Sequence, residues 1–311
     1  MADFPKVEVT GTIKEVTVGV GDKSFTLGGE NAYPFHTFEG KVPRVPRIAM
    51  EVWDKTPSTW APALEKAFGD VWGDPVAWAR KCIEHGADAI VLTLASTDPN
   101  DDDTPAAQAA EVAKNVAKGI DAPLIVWGAD NDSKDSETLR AVAEAVDFRQ
   151  LVLGPVVEGN YKQVGAGAIG YKHQVIATTP IDINLAKQLN ILLGNLGVKD
   201  GSILMDPTVG GLGYGLEYTY SVMERARMAA LTQGDEKLQF PILCNIGKEV
   251  WKTKEAKTDA SEEPTWGDPA RRGVAIESIT AVSLLLAGAD IVVLRHPESV
   301  KLVRAYIADM L

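Results

Sequence analysis

A chain of 311 residues, 45% of them hydrophobic, can bury a large core, and its length suits one (β/α)-type domain with decorations or two smaller domains. A net charge of −12 argues against nucleic acid or an anionic membrane surface as partner, because either calls for a basic patch. Two cysteines, Cys82 and Cys244, cannot by themselves ligate an iron–sulfur cluster or a structural zinc, and they suggest no disulfide framework. No signal peptide opens the chain and no apolar run reaches membrane-spanning length, so a cytoplasmic protein is expected.

The first residues alternate apolar and polar, through Val7, Val9, Ile13, Val16, Val18, Phe25 and Leu27, with turn signals at Gly11 and Gly21-Asp22. That pattern predicts a small antiparallel hairpin or meander, of the kind that plugs the amino-terminal end of a barrel. Residues 30–46 hold three prolines and no period, and read as a connector. The expected organisation is therefore an N-terminal hairpin and connector over 1–46, followed by a barrel over 47–311.

From Arg47 onward, strand and helix patterns alternate to the end. Strands are predicted at 47–53, 87–94, 123–127, 150–155, 174–178, 203–205, 241–245 and 290–294. Helices are predicted from Asp74-Pro75, over 105–117, 136–146, 183–196, 216–231 and 269–287, and from Pro297. The segment after the fourth strand is glycine-rich and left without an element. Asp74-Pro75, Thr104-Pro105 and Asp268-Pro269 place a cap residue before proline at the first helical position. Gly86, Gly119, Gly197 and Gly288 read as helix ends. The phrase Gly86-Ala87-Asp88 returns as Gly288-Ala289-Asp290, marking one helix-to-strand junction used twice. Eight near-continuous apolar strands alternating with amphipathic helices predict an α/β fold, a closed (β/α)8 TIM barrel. A doubly wound open sheet is the alternative.

The site of such a barrel lies at the carboxyl ends of its strands. Those ends carry Glu51, Asp54, Ser96, Asp98, Asp130, Asn131, Thr178, Thr179, Asp206, Thr208, Asn245, Lys248, Arg295 and His296. The rim is polar, without metal spacing, without a nucleophile elbow and without a lysine inside a strand for a Schiff base. Its most distinctive stretch is Ser202 to Gly215, SILMDPTVGGLGYG, where Asp206 ends a strand and four glycines follow within six residues. Glycine at that density admits positive φ and close approach of another molecule to the backbone. His296 reads equally as a rim group or as a cap of the last helix, whereas Asp88 and Asp290 read as structural. Two long insertions, Asp54–Gly73 with Trp60, Leu64 and Phe68, and Gly247–Gly267 with Trp251 and Trp266, read as ordered docking surfaces.

The GADAIVLTL strand, the LMDPTVGGLGYG loop and the NIGKE after the seventh strand resemble the pterin-binding barrel superfamily, which includes dihydropteroate synthase and methyltetrahydrofolate methyltransferases. Within it, the whole chain is similar to small subunits of the corrinoid iron–sulfur protein. The resemblance implies a non-catalytic subunit of a methyl carrier between methyltetrahydrofolate and acetyl-CoA synthase in the reductive acetyl-CoA pathway. It implies a heterodimer with a large corrinoid iron–sulfur subunit, and encounters with a methyltetrahydrofolate methyltransferase and with acetyl-CoA synthase/CO dehydrogenase. The corrinoid would be shared at the interface and the iron–sulfur cluster would belong to the partner alone. Thr208, Gly210, Gly211, Leu212, Gly213, Tyr214 and Asn245 are then the residues expected to meet the corrinoid, with no catalytic and no metal-ligating residue. The chain departs from the pterin enzymes where their third strand ends in an acidic residue, here Trp127-Gly128-Ala129, and it lacks the Asp-x-His-x-x-Gly signature of a cobalamin module. The rival reading is a pterin-dependent methyltransferase that protonates N5 of its substrate through a rim acid.

Overall fold

The computed structural model describes residues 7–310. A short antiparallel hairpin, β1 (Val16–Val18) and β2 (Phe25–Leu27), precedes eight parallel strands. These are β3 (Arg47–Trp53), β4 (Ala89–Thr93), β5 (Leu124–Trp127), β6 (Val152–Val156), β7 (Gln174–Thr178), β8 (Ile203–Asp206), β9 (Leu243–Asn245) and β10 (Ile291–Leu294). Each pairs with its chain neighbour from β3 to β8, β10 pairs with both β3 and β9, and Met205 N–H donates to Pro241 C=O at 2.8 Å to close the ring. The chain is thus a (β/α)8 barrel with an N-terminal hairpin.

Around it stand α1 (Pro62–Phe68), α2 (Pro75–Glu84), α3 (Ala106–Gly119), α4 (Asp132–Ala145), α5 (Tyr161–Tyr171) and α6 (Ile183–Leu196). The ring is completed by α7 (Leu216–Leu231), α8 (Ile246–Val250), α9 (Lys254–Lys257), α10 (Pro269–Leu286) and α11 (Pro297–Met310). No helix among the described residues is long and apolar enough to cross a membrane.

Strand alternation sorts the side chains into two cores. Ala49, Ala89, Val91, Ile125, Val152, Ile176, Leu204, Leu243, Ile291 and Val293 point into the barrel and pack with Val16, Val18, Phe25 and Leu27 of the hairpin. The hairpin therefore plugs the amino-terminal end, where Gln174 Nε2 also donates to Thr17 C=O at 2.8 Å. The intervening residues, such as Ile48, Met50, Ile90, Leu92, Val126 and Cys244, form the larger core against the helices. The hairpin is shorter than the alternating pattern suggests. Thr10 and Gly11 instead donate to Leu231 C=O at the end of α7, and a Cβ on Gly11 would lie 1.9 Å from Ala230 C=O.

The duplicated glycine–alanine–aspartate phrase is one device used twice. Gly86 and Gly288 leave their helices at φ 96° and 108°. Asp88 then accepts from the amide of Ile48 at 2.8 Å, and Asp290 from that of Ile242 at 2.7 Å, so each carboxylate pins the neighbouring strand. Arg304 pairs with Asp88 at 2.7 Å and the buried Arg227 with Asp290 at 2.5 Å. Asp74 and Asp268 cap α2 and α10 as expected. Thr104 does not cap: α3 begins one residue later, after an extended Pro105. The glycine-rich segment after β6 is the helix α5, and α4 starts at Asp132 because Asn131 caps it through Lys134 N–H.

Both insertions turn most of their large apolar side chains inward while most of their other residues stay at the surface. Leu64 and Phe68 are buried on α1, and Trp60, Trp72 and Trp78 meet edge-on or tilted with ring centroids 5.3–6.2 Å apart. Trp251, expected at a docking surface, is 1% exposed. Its indole stacks on the His296 ring at 5.6 Å, and α10 comes so close that a Cβ on Gly273 would sit 2.4 Å from it. Only Trp266 of the pair is exposed, under the Arg272 guanidinium. Trp251→Ala should therefore cost about 3–5 kcal/mol of stability, as large core truncations do. A thermal or urea melt checks this, and a melt like that of the unaltered chain would return Trp251 to the surface.

Candidate functional site

The innermost layer at the carboxyl end of the barrel is built by one residue from each strand. Alternation turns Glu51, Thr93, Trp127, Gly154, Thr178, Asp206, Asn245 and Arg295 inward. This layer divides into two unlike halves.

On the β3, β4 and β10 side both oxygens of the Glu51 carboxylate are engaged. Glu51 accepts from Arg295 Nε at 2.6 Å, Trp53 Nε1 at 2.9 Å and Thr93 Oγ1 at 2.8 Å. The Arg295 guanidinium lies 4.3 Å from the centroid of Trp60 and 5.6 Å from that of Trp53. Burial alone would raise Glu51, but Arg295 and the two donors outweigh it and hold the carboxylate below its ordinary range. Glu51 is thus a buried structural ion, not the solvent-facing rim carboxylate that is the commoner outcome at a barrel mouth. Nearby, Asp54 accepts from the Ser96 amide at 2.9 Å and hydroxyl at 2.5 Å.

The β5 side is filled by Trp127, whose indole sits in the inner core and donates to Asp130 Oδ1 at 3.2 Å. The turn beyond it folds around Asp135, which accepts from the amides of Ala129 at 2.8 Å and Asn131 at 3.1 Å. Gly128 is required there, because a Cβ would fall 2.2 Å from that carboxylate. Asp130 then reaches across the mouth to Lys248 of α8, which follows β9 on the opposite side of the ring.

The β7, β8 and β9 side is polar and under-satisfied. Asp206 is buried and accepts from the Thr208 amide at 3.0 Å. Burial pushes its pKa up to about 7, with Lys248 opposing and Asp130 reinforcing the shift. Asn245 is 4% exposed, and neither its amide nitrogen nor its oxygen has a partner. It occupies the N-cap position of α8 yet makes no capping bond, so its side chain is turned to the barrel interior instead of to the helix amides.

Above this half lies the glycine loop. Thr208 adopts φ 60°, braced by its hydroxyl on Thr179 C=O at 2.7 Å. Thr219 ties the loop to α7 through Gly210 N–H at 2.8 Å and Thr208 C=O at 3.1 Å. The glycines do different work. A Cβ on Gly210 would meet the Gly215 backbone at 2.5 Å, so this residue is demanded by the loop's own folding. Gly211 is buried beside Glu249 and Val250 of α8. Gly213, at φ 78°, has open space around it, and Leu212 and Tyr214 beside it are exposed. Tyr214 Oη donates to Glu255 of α9 at 3.0 Å, and Tyr218 extends the exposed apolar crown.

A model of the CO dehydrogenase/acetyl-CoA synthase delta subunit family matches residues 15–306. The chain belongs to this family. It is 38% identical over 312 residues to the acetyl-CoA decarbonylase/synthase complex subunit delta of Archaeoglobus fulgidus, covering 96% of this chain and 68% of that protein. It is 34% identical to subunit delta 1 of Methanosarcina thermophila, covering 96% and 70%. Among solved structures it resembles dihydropteroate synthase from Xanthomonas albilineans with 4-aminobenzoic acid, at 15% identity, TM-score 0.60 and coverage of 95% and 98%. The Coxiella burnetii dihydropteroate synthase with pteroic acid gives 13%, 0.56, 96% and 99%. At such identities these enzymes share the fold.

Of the residues the delta-subunit resemblance singles out, Thr208, Leu212, Gly213 and Tyr214 form the exposed crown, Gly210 and Gly211 its buried base, and Asn245 the floor below α8. His296 is resolved as a cap: its Nδ1 accepts from the Glu298 amide at 3.1 Å, and burial lowers its pKa to about 4. His173 is a buried strut between Leu151 N–H and Ala143 C=O. Cys82 and Cys244 are both core side chains. The bridge from Asp130 to Lys248 and the pairing of Glu51 with Arg295 are the features that strand-end reading did not assemble.

Asp206 supplies a pH test. Its folded pKa lies above the ordinary value of 3.8, so the folded state holds the proton more tightly and loses stability as pH rises from about 4 to 7. Asp206→Asn should flatten that limb, by an amount on the order of a few kcal/mol at pH 8 and little at pH 4. Melts from pH 4 to 8 on both proteins check it, and parallel curves would contradict a buried, proton-holding Asp206.

Proposed function

We propose that this delta-family chain is the non-catalytic subunit of a corrinoid iron–sulfur methyl carrier. In this reading its barrel mouth covers a corrinoid held by a large partner subunit while a methyl group passes from methyltetrahydrofolate to acetyl-CoA synthase. The observation that carries it is the mouth's construction: Leu212, Tyr214 and Tyr218 are exposed at the rim, and the mouth's own ionic groups are buried or paired with one another. An apolar crown over a polar floor suits a large flat macrocycle with polar arms better than a small substrate in need of an acid and a base. The partner's corrinoid supplies the cobalt chemistry. This chain's residues would exclude water and position the ring. The names of the relatives, which are subunits of an acetyl-CoA decarbonylase/synthase complex, support the same reading.

The methyltransferase reading has one observation in its favour, an Asp206 poised near neutrality as a general acid requires. Against it stands Trp127, which fills the place of the acidic anchor of the pterin enzymes, with the nearby Asp130 occupied by Lys248 and the indole.

Two outcomes are expected. The purified chain with methyltetrahydrofolate and free cobalamin gives no methylcobalamin by visible absorbance, whereas turnover of about 10 per second, ordinary for an enzyme, would establish the methyltransferase reading. Leu212→Asp and Tyr218→Asp, both surface changes, should leave the melt within about 0.5 kcal/mol. They should weaken association with the large subunit at least about tenfold, since aromatic and apolar anchors dominate interfaces. Unchanged association for both would remove the crown from the interface.

A further inference from the structure

Among the described residues Asn245 is the one amide side chain whose nitrogen and oxygen are both buried without a partner. A buried amide without partners costs about 1–3 kcal/mol, and protein interiors rarely tolerate one. A capping bond to α8 is the usual outlet for asparagine at this position and is not made. Alternation along β9 explains the direction: Leu243 enters the inner core, Cys244 meets Met223 of α7 at 3.7 Å, and Asn245 turns inward again at the top of the barrel. Over this side of the mouth lie the glycine loop and the pair from Asp130 to Lys248. Both members of that pair are substantially exposed, with side-chain exposures of 47% and 33%. An ion pair so exposed is worth about 0–1 kcal/mol, so a docking group can displace it at small cost.

A corrin ring is fringed with primary carboxamide arms, each carrying one acceptor oxygen and two N–H donors. Resting on the reading above, that this mouth covers a partner's corrinoid, we infer that Asn245 is the receptor for one such arm, pairing amide to amide through two reciprocal hydrogen bonds. The orphaned nitrogen and oxygen are the two halves of that pair. Recognition then depends on a neutral amide, which both donates and accepts, and not on charge. Leu212 and Tyr214 would hold the ring, with Lys248 beside the arm.

The test is calorimetric affinity of this full chain for its large subunit, prepared with and without corrinoid, together with thermal melts. Three proteins are compared: the unaltered chain, Asn245→Leu and Asn245→Asp. Leucine fills the same volume without polar atoms, so its melt should equal or exceed that of the unaltered chain. Its preference for the corrinoid-loaded subunit should nevertheless fall about tenfold, the scale of one lost buried amide pair. Asn245→Asp, which keeps the shape and loses the donors, should lose the preference as well. If the unaltered chain prefers the loaded subunit and either variant keeps that preference, the inference is overturned while the covering role stands. If Asn245→Leu melts markedly lower, the amide is a structural one and the inference fails too. If the unaltered chain shows no preference for the loaded subunit, the covering role itself falls.

Discussion

Glu51 and Arg295 can leave water at the top of the barrel because each charge meets the other. The carboxylate has three donors and the guanidinium lies against two indoles. Desolvating such a pair is costly, and removing one partner alone leaves an uncompensated buried charge worth about 3–5 kcal/mol. The pair also decides what the mouth can do. With β3, β4 and β10 committed to it, and β5 filled by Trp127, the buried unpartnered polar atoms of this layer are those of Thr178 and Asn245. The tryptophans of the first insertion belong to the same arrangement, since Trp60 covers the guanidinium and Trp78 backs Trp60.

In the proposed reading, that asymmetry lets a barrel of the fold seen in dihydropteroate synthases serve another purpose. The hairpin, the inner apolar layers and the twin aspartate junctions concern stability and lie at or toward the amino end. Everything distinctive lies at the other end, on loops held by rigid strands. The glycine loop itself is two devices in one. Gly210 lets the loop cross its own backbone, and the segment from Leu212 to Tyr214 presents an exposed face whose bulk can change without disturbing that crossing.

Much of this was legible in the residues. The strand count, the helix caps at Asp74 and Asp268, the closing hairpin and the structural roles of Asp88 and Asp290 all follow from patterning with periods of two and 3.6 and from end chemistry. Pairing of Glu51 with Arg295 was reachable too, because closing an eight-stranded barrel makes its first and last strands neighbours. Other features were hidden for physical reasons. Trp251 sits in a charged stretch, and composition cannot show that α8 turns it beneath α10. Gly210 and Gly213 look alike in sequence, and only the folded loop shows that one is hemmed in by backbone and the other is free. Asn245 reads as one more polar strand end, and only the folded chain shows that its amide is buried without a partner.

In the proposed function the crown and floor of this mouth receive a corrinoid carried by another subunit. Hydrogen–deuterium exchange of the amides from Thr208 to Tyr214 tests it most directly, with the chain bound to its large subunit in corrinoid-loaded and corrinoid-free forms. These amides should slow markedly in the loaded complex and much less in the corrinoid-free one. Equal exchange in the two complexes would contradict that function.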